Sequence, residues 1–266
     1  MAQSIATGEL SRPYEAPSVR QVALSSPFVW LQRGARDLMR APRPGLVVGA
    51  VVAVGGLLLA AATWKAVYLA PALLGGFLLV APLFAIGLYE VSRQLERGEP
   101  RRRAGAWSAW RVNPGSIAMF GLMLALAYLF WERLAAIVFA LSYDSQPLQL
   151  SRLAVELMSG RHVVFLSSFL AVGATVAAVV YSLSVVSAPL LLDRPVDVIT
   201  ATLTSLRCCA RNPGPMALWA ALIAALMAFG FATLMVGLVV VFPWLAHASW
   251  HAYRDLVDAS SLPLRN

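Results

Sequence analysis

Five stretches of the chain run almost without a polar interruption: residues 46–62, 67–89, 116–141, 163–192 and 216–247. About 20 residues of helix cross the ~30 Å hydrocarbon of a bilayer, so each stretch is long enough to span. The last covers 32 residues, too long for one simple span and short for two. It predicts either one long tilted helix or a tight hairpin bent near Gly230. A transmembrane β-barrel is excluded, because barrel strands alternate in polarity over about ten residues and these runs do not alternate. The pattern predicts an all-α polytopic transmembrane helical bundle of six spans arranged as three related hairpins, or five spans if the last stretch is a single helix.

Composition removes the soluble alternative. Hydrophobic residues make up 59% and charged residues only 13%, against about 25% charged in soluble domains. Mean hydropathy is +0.72. So few charges cannot cover a water-facing surface, so lipid must. The net charge of +8 resides in the connections between apolar runs, where cations meet headgroups and set topology, and it does not call for a nucleic-acid partner. Six spans place 17 of the 21 Lys and Arg residues on one side and 4 on the other; five spans weaken this to 15 against 6. Either count puts the amino terminus in the cytoplasm. Residues 1–27 carry Glu9, Arg12, Glu15, Arg20 and three prolines without the order of a cleaved signal peptide. They read as a disordered cytoplasmic tail, followed by the helical domain over 28–258 and a short tail over 259–266. Cys208 and Cys209 are adjacent, cannot form a disulfide framework, and read as reduced residues in a cytoplasmic connection.

Self-similarity constrains the topology further. Pro42-Arg43-Pro44-Gly45, Asn113-Pro114-Gly115 and Asn212-Pro213-Gly214 each precede an apolar run. Pro82, Pro189 and Pro243 fall near the cytoplasmic ends of the even-numbered runs, and eight residues beyond them lie Glu90, Asp197 and His251. The first and third copies also share Gly76/Gly237, Tyr89/Trp250 and Arg93/Arg254. Three two-helix repeats in parallel orientation follow. Helical spacing of Phe28, Leu31, Ala35, Leu38 and Met39, with Arg33, Arg36 and Arg40 opposite, predicts an interfacial helix before the first span. Ile199, Leu203 and Leu206 predict another within 196–210, and Leu150, Leu153, Ala154, Leu157 and Met158 a third on the outside. Small residues mark inward faces: Gly45, Gly49, Ala53, Gly56 and Ala60 in the first span, and Gly173, Ala177, Tyr181, Ser184 and Ala188 in the fourth.

Candidate chemistry is sparse. His247, His251 and Asp255 are spaced by four, so a helix stacks them on one face, as a three-ligand metal site would require. The metalloprotease pattern needs Glu after the first His, and Ala248 stands there. The competing reading has the histidines bonding headgroups, water or carbonyls, and His162 is read as structural. A polar path for a solute would use Glu90, Ser184, Ser187 and His247. Glu132-Arg133 interrupts the third run near its outer end, within snorkelling reach of the interface. Glu90, Asp193, Asp197 and Asp255 should gather on the cytoplasmic rim and pair with Arg93, Arg194 and Arg254. No phosphate-binding loop, dinucleotide fingerprint or nucleophile elbow occurs, so no enzyme activity and no cofactor are expected.

The stretches Val80-Ala-Pro-Leu-Phe-Ala-Ile-Gly-Leu-Tyr-Glu-Val-Ser-Arg93, Leu191-Leu-Asp-Arg194, Arg211-Asn-Pro-Gly214 and Pro243 through Arg254 together resemble the domain-of-unknown-function family twenty-one eighty-nine. That family comprises proteobacterial integral membrane proteins, and the likeness runs over about residues 20–258. It implies a bacterial inner membrane and marks the His247/His251 segment as a family feature without giving it a role. Three functions are then expected in order: a non-enzymatic accessory, assembly or scaffold component acting through lipid, a membrane-protein partner or a second copy; a small-solute or ion transporter; and a metal- or haem-binding redox accessory through His247 and His251.

Overall fold

A computed structural model describes residues 17–62, 70–99, 108–142 and 163–265, and every structural statement below concerns those residues. Strand β1 (Ser18–Val19) leads into helices α1 (Ser26–Arg40), α2 (Pro42–Ala62) and α3 (Ala70–Glu96). After a 3-10 turn at Ala109–Arg111 come α4 (Pro114–Ser142), α5 (Val163–Ser184) and the short α6 (Ser187–Asp193). Helices α7 (Val198–Arg211), α8 (Pro213–Ala232) and α9 (Leu238–Leu256) follow, and strand β2 (Val257–Asp258) comes last. Helices α2, α4 and α8 begin at Pro42, Pro114 and Pro213. Proline suits a first helical position because its missing N–H would have no partner there.

The last apolar stretch is a hairpin, not one long helix. Helix α8 stops at Ala232, and Leu234 and Met235 take positive φ of 52° and 68°. The Thr233 hydroxyl accepts the Gly237 amide at 2.9 Å and so ties the turn before α9 begins at Leu238. The bend therefore lies at residues 233–237, just beyond Gly230, which instead gives room for the Leu238 side chain. Five helical segments are long and apolar enough to cross a membrane: α2, α3, α4, the run from α5 through α6, and α8. Helix α9 is not among them, because His247, His251, Arg254 and Asp255 lower its apolarity. Its 19 residues still measure about 28 Å, enough to return across the bilayer. Parity agrees. Strand β1 pairs antiparallel with β2, Ser18 opposite Asp258 and Val19 opposite Val257, so the chain before the first span and after the last lies on one side. The pairing supports an even number of crossings, with α9 as the return beyond the five.

The three hairpins pack in a cycle. Each lead-in segment rests on the return helix of the preceding copy: α1 on α9, the 109–111 turn on α3, and α7 on α5 and α6. The outgoing spans follow the same rule, with α2 on α9 and α4 on α3. For α8, the Tyr181 hydroxyl of α5 donates to the Met216 carbonyl at 2.9 Å. The asparagines of the turn motif serve the cycle directly. Asn113 donates to the Val196 carbonyl, ahead of α7, at 2.8 Å. Asn212 donates to the Arg20 carbonyl at 3.0 Å and accepts the Val22 amide at 2.9 Å, ahead of α1. Residues 18–22 are thus pinned, so the packed body starts before residue 28, and residues 1–16 of the expected tail lie outside the described residues.

The small-residue face of α2 is buried as expected at Gly45, Gly49, Ala53 and Gly56. In the fourth span Ser184 and Ala188 are buried, but Ala177 is exposed, so the inward face there turns away from the predicted stripe. The interfacial helices leave Phe28, Met39, Ile199, Leu203 and Leu206 of their expected lipid faces outward, and Leu38 turns inward instead. On α1 the inward residues are Trp30, Gly34, Asp37 and Leu38, while Phe28 and Met39 face outward at 55% and 71% exposure. On α7 the inward face is Ala201, Thr204, Ser205 and Cys208, and Ile199, Leu203 and Leu206 face outward. The outer stripe from Leu150 to Met158, and His162, lie outside the described residues.

Candidate functional site

One end of the bundle gathers nearly all of its buried ionisable groups, around the last turns of α3 and α9. Two clusters form there. The first joins α1, α3 and α9. Its approach is set by Gly34, where an added Cβ would lie 2.6 Å from the Ala248 amide nitrogen, so the α1 and α9 backbones touch. That contact brings Asp37 beneath α9. The Ser92 hydroxyl donates to Asp37 Oδ2 at 2.8 Å, and His251 Nε2 donates to the same oxygen at 2.9 Å. His247 Nδ1 stands 2.7 Å from Ser92 Oγ. Because Ser92 gives its proton to the carboxylate, His247 Nδ1–H is the donor in that pair, and Nε2 carries the lone pair. That Nε2 is buried without a hydrogen-bond partner. One turn further along, Asp255 accepts from Trp30 Nε1 at 2.9 Å and from Arg33 at 3.0 Å.

Burial alone would raise the Asp37 carboxyl, but the hydrogen bonds from His251 and Ser92 outweigh it and hold the group below its ordinary 3.8. A depressed folded pKa contributes stability that is present above the unfolded value and is lost as pH falls through the folded one. Asp37→Asn should therefore cost about 1.5–3 kcal/mol at neutral pH and flatten the acid limb. Thermal unfolding in detergent between pH 3 and pH 7 checks this; a variant whose loss below pH 4 matches the parent would refute it.

The second cluster joins α3, α6, α9 and the carboxy-terminal segment. Glu90 accepts from Arg93 Nε at 2.9 Å and from Gln94 at 2.8 Å, and Arg265 pairs with it at 2.8 Å. Asp193 accepts from the Tyr253 hydroxyl at 2.8 Å and lies 3.3 Å from Arg194 Nε. Glu96 accepts from Trp250 at 2.9 Å and from Arg254 at 3.0 Å. Arg194 also donates to the Leu262 carbonyl at 3.0 Å, so residues after β2 close this end.

The expected rim pairs resolve unevenly. Glu90 with Arg93 and Asp193 with Arg194 stand as expected; Arg254 pairs with Glu96, and Asp255 with Arg33. Asp197 meets no arginine and instead caps α7 by accepting the Thr200 amide at 2.8 Å. His247, His251 and Asp255 do share the face of α9 that meets α1, yet the Asp255 oxygens are taken by Trp30 and Arg33. Among the described residues no group of three or more His, Cys, Asp or Glu is arranged to hold a metal ion. Glu90, Ser184, Ser187 and His247 are all buried, but no hydrogen bond links them; Ser187 turns its hydroxyl to the Leu183 carbonyl. Glu132 and Arg133 pair with each other at 3.1 Å, with Arg133 largely exposed. Burial, then the neighbouring Cys209, push the Cys208 thiol up to about 12, so it stays protonated and inert.

Ser, His and Asp meet here in the wrong order for nucleophilic catalysis. A working triad places His between Ser and Asp, whereas Ser92 lies between His247 and Asp37 and is sealed from solvent. Sequence reasoning missed Asp37, Ser92, Glu96, Tyr253 and Arg265. Asp37 left a signal, since it continues the Trp30–Gly34 row at helical spacing.

Residues 69–193 match the family model described as predicted integral membrane protein (DUF2189). The DUF2189 match covers α3 through α6 and so contains Glu90, Ser92, Arg93 and Asp193, half of each cluster. It includes the first resembling stretch whole and Leu191 to Asp193 of the second, and it stops before the Arg211 and Pro243 stretches, so the likeness is narrower than residues 20–258. No curated protein and no solved structure matches the chain.

Proposed function

We propose that this integral membrane protein is a non-enzymatic structural component of a bacterial inner membrane, with its amino terminus in the cytoplasm, acting as an accessory, assembly or scaffold protein. The observation that carries the reading is the state of Glu90. Arg93, Gln94 and Arg265 all bond its carboxylate, which leaves no acceptor for a travelling cation or proton donor. A groove of about 490 Å³ between α4 and α5 is likewise apolar, lined by residues such as Phe130, Leu134, Val176 and Val180. Such a surface fits lipid chains or another helix and offers nothing to a polar solute. The charge distribution supports the orientation, and the β1–β2 pairing supports two termini on one side.

Purification from native membranes with quantitative mass spectrometry tests the role: a stoichiometric membrane-protein partner or a homo-oligomer is the expected result. A monomer that moves a defined solute across proteoliposomes would overturn it. Topology is separable from role. Cytoplasmic reporters fused at residue 1 and after Asn266 should both be active, and a periplasmic signal after Asn266 would remove the sixth span.

A further inference from the structure

Most arginines at the bundle's polar end have a carboxylate: Arg20 with Asp258, Arg33 with Asp255, Arg93 with Glu90, Arg194 with Asp193, Arg254 with Glu96 and Arg265 with Glu90. Arg211 bonds the Val19 carbonyl instead, and four more on that side have no such partner. Arg36, Arg43, Arg111 and Arg207 are exposed, and no carboxylate among the described residues pairs with them. Their placement follows the cycle: Arg36 lies on α1 and Arg43 at the start of α2, Arg111 in the turn before α4, and Arg207 on α7 before α8. Each lead-in segment thus carries at least one uncompensated cation.

The same segments turn apolar side chains away from the protein. Phe28 and Met39 of α1, Trp110 of the second lead-in, and Ile199, Leu203 and Leu206 of α7 are all exposed. These segments enter their spans directly through Pro42, Pro114 and Pro213, so they lie at the depth where hydrocarbon gives way to headgroups. We propose that the three lead-ins form a collar that binds anionic phospholipid headgroups, the arginines on phosphate and the apolar side chains in the acyl boundary. Charge complementarity selects this occupant. A guanidinium without a carboxylate binds phosphate in paired hydrogen bonds, and phosphate is the anion that surrounds a helix at this depth. A protein partner would have to bring several acidic groups to a ring running round the bundle. The collar requires only that the chain is embedded in a bilayer, so it stands or falls separately from the accessory role.

The test uses the full-length chain in nanodiscs of phosphatidylcholine alone and of phosphatidylcholine mixed equally with phosphatidylglycerol. The parent should unfold about 3 °C or more higher in the anionic discs. The R36Q/R43Q/R111Q/R207Q variant should unfold at one temperature in both, matching the parent in pure phosphatidylcholine. Inorganic phosphate added to the neutral discs should leave the parent unchanged; an equal stabilisation by phosphate would assign the arginines to a soluble anion and overturn the proposal. Equal unfolding of the parent in both discs, or a difference retained by the variant, would also overturn it. Should the quadruple variant not fold, salt decides: the parent's difference should shrink as added sodium chloride screens exposed charges, and a difference unmoved by salt would refute the collar.

Discussion

Glu90→Ala should lower the stability of the full-length chain by about 3–5 kcal/mol, because removing one member of a buried ion pair leaves its partner charged and desolvated. The side chains of Glu90 and Arg93 are only 4% and 6% exposed, and Arg265 also depends on the same carboxylate. Solvent cannot substitute at that depth, which distinguishes this pair from the exposed Arg20–Asp258 contact, where water competes for both groups. Thermal unfolding in detergent reads the loss, and limited proteolysis should show residues 257–265 freed first, since Arg265 loses its anchor. Adding Arg93→Met to Glu90→Leu removes both buried charges. The double variant should then recover part of the single-variant loss, as buried pairs replaced by apolar groups often do. A double variant as unstable as the sum of its singles would show that the two residues act independently and that the cluster does not hold this end together.

Much of the architecture was legible because the bilayer simplifies the code. Long apolar runs had to be helices, since every backbone polar group must be satisfied inside the segment. The repeated turn marked the membrane entries, while the helices begin at its prolines, two to four residues ahead of the apolar runs. The break in the last stretch was readable as a choice between two forms, but its place was not. Thr233 closes the turn by a side-chain bond, and a threonine in an apolar run gives no such signal.

The faces of α1 and α7 were harder to read. Periodicity assigns apolar residues to the acyl boundary and polar ones to water, which suits a helix floating on lipid. Here each helix also has a protein side, and the protein offers polar partners. Asp37 therefore turns inward to Ser92 and His251, and Thr204 and Ser205 pack inside, while Phe28 and Ile199 remain for lipid. The histidine pair shows the same limit. Spacing put His247 and His251 on one face, but their carboxylate came from Asp37, more than 200 positions away in the chain. Asp255 went to Trp30 and Arg33 on that same distant helix. Only a fold that brings α1 against α9 decides such partners.

That close approach makes the glycines of α2 the next most sensitive positions. Gly49→Leu is expected to cost at least about 3 kcal/mol, at the upper end of overpacking. A Cβ at Gly49 would fall within the radius of the Val239 carbonyl oxygen, with the carbonyl carbon 2.7 Å and Cα 2.9 Å away. These are backbone atoms, so no rotamer change relieves the clash, and α2 must move off α9. At Gly45, four residues earlier, an added Cβ would lie 3.3 Å from Pro243 Cβ and 3.8 Å from His247 Nε2, so the displacement reaches the first buried cluster. Gly55 supplies the control. It lies on the same helix with only Phe77, at 3.9 Å, near an added Cβ, and Gly55→Ala should be neutral or stabilising by up to about 1 kcal/mol through helix propensity. Thermal unfolding of both variants under one detergent condition checks the contrast. If Gly49→Leu and Gly55→Ala behaved alike, the α2–α9 contact would not be the tight backbone seam on which the placement of His247 depends.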